Sequence, residues 1–183
     1  MIAQSLNLIV RKFDDYLRTL LGAADNQVIL ARLTNANSTT PPENDNKIIL
    51  TVVNMERELT ISSYASAQPT ATALNIVAPP VYINVFVMFS ANFADYSTGL
   101  NYISETISFF QRNPWFSQAN LPGLPTEIDK LSFELQNMAT QELSELWSMH
   151  GGHYLPAVVY KLRMFPFGGS AMTINDIPPA PNN

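Results

Sequence analysis

The sequence predicts an α/β fold: a single-domain sandwich of a mixed sheet of about five strands with about three helices packed on it. Three observations carry this. Stretches with apolar residues every three or four positions alternate with β-branched runs, no segment repeats, and no heptad is sustained. The 183 residues suit one domain, and folding at this size buries about 70% of the surface of the unfolded chain. The predicted order is α-β-β-β-α-β-α-β.

The first element is a helix, because Ile2, Leu6, Ile9, Phe13, Leu17 and Leu20 fall on one face at three- and four-residue spacing, and Gly22 is a natural stop. "NQVILARL" (26–33) reads as a short strand, followed by the polar loop "TNANSTTPPENDN". "KIILTVVNMERELT" (47–60) begins as a β-branched strand with too little polar alternation to face water, which places it centrally. Residues 61–79 form an Ala/Ser/Thr-rich connection, too long for a tight hairpin and unlike a helix.

"PPVYINVFVMFSANF" from Pro79 is the most apolar strand, with both faces covered. "YSTGLNYISETISFFQRN" is a second amphipathic helix, its stripe read as Leu100, Ile103, Ile107 and Phe110, and Pro114 ends it. "DKLSFELQNM" alternates as a strand with one solvated face. "ATQELSELWSMHGG" is a short helix with Thr140 as N-cap, Leu143, Leu146 and Trp147 buried, and Gly151 placed for a left-handed C-terminal cap. "LPAVVYKLRMF" (155–165) is the last strand, in which Lys161 and Arg163 share a face and read either as a solvated edge or as a partner contact. The domain is expected to span 1–165. The Pro-rich tail, 166–183, is expected to be disordered in isolation or laid along a neighbour.

Composition narrows the chemistry. Without cysteine there is no disulfide framework, thiolate zinc site, iron-sulfur cluster or cysteine nucleophile. Charged residues are 14% of the chain, against roughly 25% in an average soluble domain. So low a charge suits either a subunit packed among others or a chain rich in neutral polar loops. A net charge of -5 without a basic block argues against nucleic-acid binding. No signal-like or membrane-spanning apolar run appears, so no direct membrane insertion is expected.

His150 and His153 flank Gly151 and Gly152, and their spacing allows two ligands to one metal ion. These are the only two histidines, and the glycines already have a role in ending a helix and launching a strand, so a cap-and-turn reading is preferred and no metal or cofactor is expected. "HGG" also echoes an esterase oxyanion loop, but it follows a helix and no G-x-S-x-G elbow exists. No phosphate-cradling glycine loop is present. Asp14 and Asp15 diverge by about 100° around a helix, a poor acid/base pair, and read as a solvated face. Glu56, Arg57 and Glu58 read as an ion-pair cluster at a strand end. Trp147 reads as core, while Trp115 and Phe116 read as a lid over the core or an interface anchor.

Three motifs occur in order. The first comprises Pro79, Pro80, Tyr82, Asn84, Phe89, Ser90 and Ala91; the second, Phe109, Phe110, Gln111, Pro114 and Phe116. The third comprises Leu146, Trp147, Gly151, Gly152, Tyr154, Pro156, Val158, Tyr160, Lys161 and Arg163. With the N-terminal helix they resemble, over residues 1 to about 165, the tail-terminator or cap proteins of phage-tail-like contractile injection systems, of the antifeeding-prophage and Photorhabdus-virulence-cassette type.

The resemblance implies a tail-terminator-like fold and a non-enzymatic subunit. Such a subunit forms a homo-hexameric ring at the baseplate-distal end, terminates the inner tube and anchors the last sheath layer. Its partners would be its own copies, sheath subunits and inner-tube subunits, and it would assemble in the cytoplasm as part of a particle released on lysis. Trp147, Gly151, Gly152 and Pro156 are the structural signature. Tyr154, Lys161, Arg163, Phe165 and Phe167 are the candidate partner contacts, with the last strand and tail as donors or acceptors of an added strand. The competing reading is a monomeric binding or adaptor module for a peptide or small ligand.

Overall fold

Residues that repeat on one helical face decide how the chain begins. Helix α1 (Ile2–Leu21) buries Leu6, Ile9, Val10, Phe13 and Leu17, and it stops where Gly22 takes left-handed backbone (φ 66°) and its N–H reaches the Arg18 carbonyl. The computed structural model describes residues 1–183 except 24, 36, 38, 61–65, 70–73, 78–79, 152–153, 169–170 and 175–183, with the backbone alone at 66–69, 74–77 and 171–174.

Six strands form the main sheet: β1 (Val28–Leu30), β2 (Lys47–Arg57), β5 (Val81–Asn92), β6 (Trp115–Phe116), β7 (Leu131–Leu135) and β8 (Ala157–Phe167), in the order β1-β2-β5-β8-β7-β6. Only β1 and β2 run parallel, so the sheet is mixed as expected. Central placement of β2 and β5 follows from their β-branched, nearly charge-free runs, which suit burial on both faces. Ile48, Ile49 and Leu50, and Val87, Met88 and Phe89, are buried whichever way they point.

Helices α1 and α2 (Tyr96–Arg112) cover one face of the sheet, and α3 (Thr140–Met149) covers part of the other. The larger core is aromatic. Phe110 has the rings of Phe13, Phe89, Phe109, Phe116, Phe133 and Tyr160 around it at centroid distances between 4.5 and 6.4 Å. Each such pair adds about 0.5–1.5 kcal/mol beyond area burial. Burial pushes the Tyr160 phenol up to about 12.

Four details depart from the sequence reading. The buried stripe of α2 is Gly99, Ile103, Thr106, Phe109 and Phe110, leaving Leu100 and Ile107 largely exposed. At Gly99 the first turn of α2 packs on Ala91, whose Cβ lies 3.6 Å from where a Gly99 side chain would start. Asp14 is buried, not solvated, because its Oδ1 accepts the backbone N–H groups of Gln27 and Val28 at 2.6 and 2.9 Å as the chain enters β1. The N-cap of α3 is Ala139 rather than Thr140, and the Glu142 carboxylate accepts the Ala139 N–H at 2.9 Å.

The fourth departure is a second sheet. Strands β3 (Ser66–Pro69), β4 (Leu74–Val77) and β9 (Ala171–Ile174) lie in the segments read as connection and tail, in the order β3-β4-β9. The β4–β9 pairs keep the same sequence register as the β5–β8 pairs nearest them. Val81 pairs with Phe167 and Val77 with Ala171, four residues back on one chain and four forward on the other, so neither gains nor loses a residue. The three strands form a sheet of their own, with β4 ahead of β5 and β9 after β8 in the chain. The remainder of the expected tail, 175–183, lies outside the described residues.

The space beside Gly99 gives a first test. A methyl group there meets Ala91 and Pro156 at ordinary contact distances of 3.6 and 3.9 Å. Gly99→Ala should therefore raise stability by about 0.5–1 kcal/mol, chiefly by restricting the unfolded chain. Thermal unfolding of the two proteins checks this.

Candidate assembly surface

Alternation along β8 sends Tyr160 and Leu162 to the aromatic core and Lys161 and Arg163 to the opposite face, the one that carries α3. Strand β8 lies between β5 and β7 and is hydrogen-bonded on both sides. This corrects the solvated-edge reading: on the β7 side, β8 is paired over residues 160–163. The ends of the main sheet are β1 and β6.

What faces the two cations is carboxylate. Lys161 Nζ donates to Glu56 Oε1 at 2.7 Å and lies 5.3 Å from the centroid of the Phe86 ring. Arg163 donates to Glu58 Oε2 through Nε and Nη2 at 3.1 and 2.6 Å, and to Glu134 Oε1 through Nη1 at 3.3 Å. Asn84 Nδ2 donates to the same Glu58 oxygen at 2.9 Å, and the Thr60 N–H donates to the other at 2.9 Å. The strand-end cluster expected around Glu56 and Glu58 thus exists, and it ties the end of β2 to β5, β8 and β7.

Glu58 is buried, and its carboxyl is held well below the usual carboxylate range. Bonds from the Thr60 side chain contribute most, followed by Asn84, the Thr60 N–H and Arg163, against the opposing effect of burial. The folded protein therefore binds the Glu58 proton less readily than the unfolded chain. Its contribution to stability is present above the ordinary carboxylate pKa and is lost as pH falls below about 4.5. Thermal melts between neutral pH and pH 3 should show that loss. Glu58→Gln should melt lower at neutral pH and fall less steeply in acid.

The signature residues mostly organise packing. Trp147 is buried and Tyr154 meets its ring edge-on at 5.5 Å. Gly151 has φ 86° just after the end of α3, the left-handed position expected of it. Pro156 is buried beneath α2, and its carbonyl accepts the Ala91 N–H at 2.9 Å. Asn84 from the first motif and Arg163 from the third meet on Glu58, which lies in neither. Gly152 and His153 lie outside the described residues. Burial lowers the His150 pKa, and among the described residues no group of three or more His, Asp or Glu could hold a metal ion.

The candidate contacts separate by accessibility. Tyr154 is 61% exposed and Phe167 40% exposed, both open to a partner. Lys161 and Arg163 are half-buried and already paired. Phe165 is fully buried in the aromatic core and cannot be a contact. Its place at the end of an alternating strand gave no hint of this, because a shift in the β5–β8 register between Ile83 and Val85 carries it to the core side. Phe116 is core and Trp115 is 42% exposed on β6, with Lys130 Nζ 5.5 Å from its ring centroid.

Spacing did not reveal a groove of about 480 Å³ between α3 and the sheet. Phe86, Val159 and Leu146 form its apolar floor, with Glu142, Glu145 and Met149 of α3 on one wall and Val53 and Asn54 of β2 on the other. Met149 is 71% exposed. The groove lining holds no cysteine or histidine and no nucleophile–base pair.

The Pvc16 N-terminal domain family matches residues 7–176. Among solved structures, the fold is shared with the sheath/tube terminator of the PVC extracellular contractile injection system in its extended state. That match has a TM-score of 0.58 at 12% identity and covers 95% of this chain and 61% of that one. The fold is also shared with the tube-terminating cap of the anti-feeding prophage, with a TM-score of 0.53 at 11% identity, covering 92% and 59%. The chain thus spans about three fifths of the length of these structures. No curated protein matches the sequence.

Proposed function

The chain belongs to the Pvc16 N-terminal domain family, and we propose that it is a structural cap subunit of a contractile injection particle. In this reading six copies form a ring at the baseplate-distal end, terminate the inner tube and anchor the last sheath layer. Assembly takes place in the cytoplasm, and the particle leaves the cell on lysis. The observation that carries the reading is the family match over residues 7–176 on a fold shared with two terminators.

The physics is compatible with a ring. A closed ring requires a heterologous interface whose rotation closes, and a chain with 14% charged residues presents much uncharged surface for repeated contacts. Tyr154 and Phe167 are the contacts proposed for a neighbouring subunit, both aromatic and exposed.

The test is negative-stain imaging of particles from a strain lacking this gene. Tubes and sheaths of uneven length, or open at the distal end, are expected. Particles that still end at a uniform, capped terminus would overturn the reading. Light scattering at high protein concentration separates it from the monomeric binding module, for which no larger species should form and a ligand should raise the melting temperature.

A further inference from the structure

We infer that the groove between α3 and the sheet is a docking site for a cationic, aliphatic segment of another protein: a stretch carrying lysine or arginine beside leucine, isoleucine or valine. Two independent observations point to that occupant. The first is shape and polarity. The groove is floored by Phe86, Val159 and Leu146, and Met149, largely exposed, stands beside it. A flexible, polarizable side chain left exposed beside an apolar floor suits aliphatic side chains of varied shape.

The second is charge. Among the described residues the groove lining carries two carboxylates, Glu142 and Glu145, and no lysine or arginine, a negative surplus. Lys161 and Arg163 are committed to Glu56, Glu58 and Glu134, and Phe86, under Lys161, joins the paired cluster to the groove. The surplus lies on the groove wall. Among the described residues Glu145 meets only the Gln141 amide, at 3.0 Å, and Glu142 only the Ala139 N–H. Neither is neutralised by a cation, so a segment bringing lysine or arginine to that wall gains charge complementarity while its aliphatic side chains cover the floor.

A second copy of this chain is a poorer occupant, because each copy carries a net charge of -5. A nucleic acid would meet a wall of its own sign. The inference concerns the groove alone and does not depend on the cap reading: a chain that capped nothing would still carry it.

The test uses the full-length protein, labelled with ¹⁵N, titrated with a short soluble peptide of lysine, leucine and serine. The control is the same peptide with glutamate in place of lysine. The lysine peptide is expected to shift the amides of residues 53–54, 136–138 and α3, and the glutamate peptide to leave them in place. Because Glu142 also caps α3, Glu145→Lys is the cleaner charge probe; it should weaken binding about 10-fold, the effect of roughly 1.4 kcal/mol. Met149→Ser, a change at a surface position, should weaken binding without altering the fold. Shifts confined to another surface, equal affinity of the Glu145→Lys protein, or no response to the lysine peptide would each overturn the inference. So would self-association of the free protein that Glu145→Lys abolishes, since the occupant would then be a second copy.

Discussion

Phe110→Ala should cost the fold about 3–5 kcal/mol, a large share of the 5–15 kcal/mol typical of a whole domain. The side chain is fully buried and belongs to α2, yet its ring neighbours come from α1, β5, β6, β7 and β8 as well as its own helix. Removing it opens a cavity that none of these elements can close alone, because each is fixed by its own backbone pairing or packing. The expected result is a global loss: a lower denaturant midpoint by every probe, with the transition remaining a single step. Phe110→Leu, which keeps much of the volume, should cost appreciably less.

Trp147→Ala removes as large a side chain, at a cost of about 3–5 kcal/mol to the contacts it makes, but the effect should be local. Helix α3 is held to the sheet by Leu146 and Trp147, with Leu143 half-buried beside them, over a floor of Leu33, Ile49, Met88 and Val159. The aromatic core on the other face does not include it. Without Trp147 the helix should open as a unit while the sheet and α1 and α2 persist, so hydrogen exchange should rise across 140–149 and stay slow in β5 and β8. Among the described residues the Trp147 Nε1–H has no hydrogen-bond partner, so Trp147→Phe should cost far less. As α3 forms a wall of the groove, peptide docking there should fail in Trp147→Ala.

Much of the fold could be read from local pattern. The stripe of α1 and its stop at Gly22 are both local signals, and the sequence marks them correctly. The charge-free runs of β2 and β5 announce burial on two faces, which only a central strand has. The misreadings share a physical cause: a partner distant in sequence. Asp14 has the spacing of a solvent-facing helix residue, but the backbone 13 residues later folds over it. Lys161 and Arg163 look solvated because their neighbours along the strand are apolar, while the carboxylates that hold them include Glu56 and Glu58, each 105 residues away from its cation.

The candidate site was legible in part. Tyr154 and Phe167 were read as surface contacts and are exposed; Phe165, two positions along the same strand from Phe167, is buried. The groove left no periodic trace, since its lining comes from three strands, a loop and one face of α3. The α2 stripe was misplaced because hydrophobic periodicity gives no weight to a glycine or a threonine, and Gly99 and Thr106 belong to the buried face.

The interior place of β5 and β8 has a mechanical meaning. Strand β4 precedes β5 in the chain and β9 follows β8, and both β5 and β8 are flanked on two sides. A pull carried along the chain from β4 or β9 loads the β5–β8 hydrogen bonds in shear, many sharing the force together, whereas a strand at the edge of a sheet can be peeled away bond by bond.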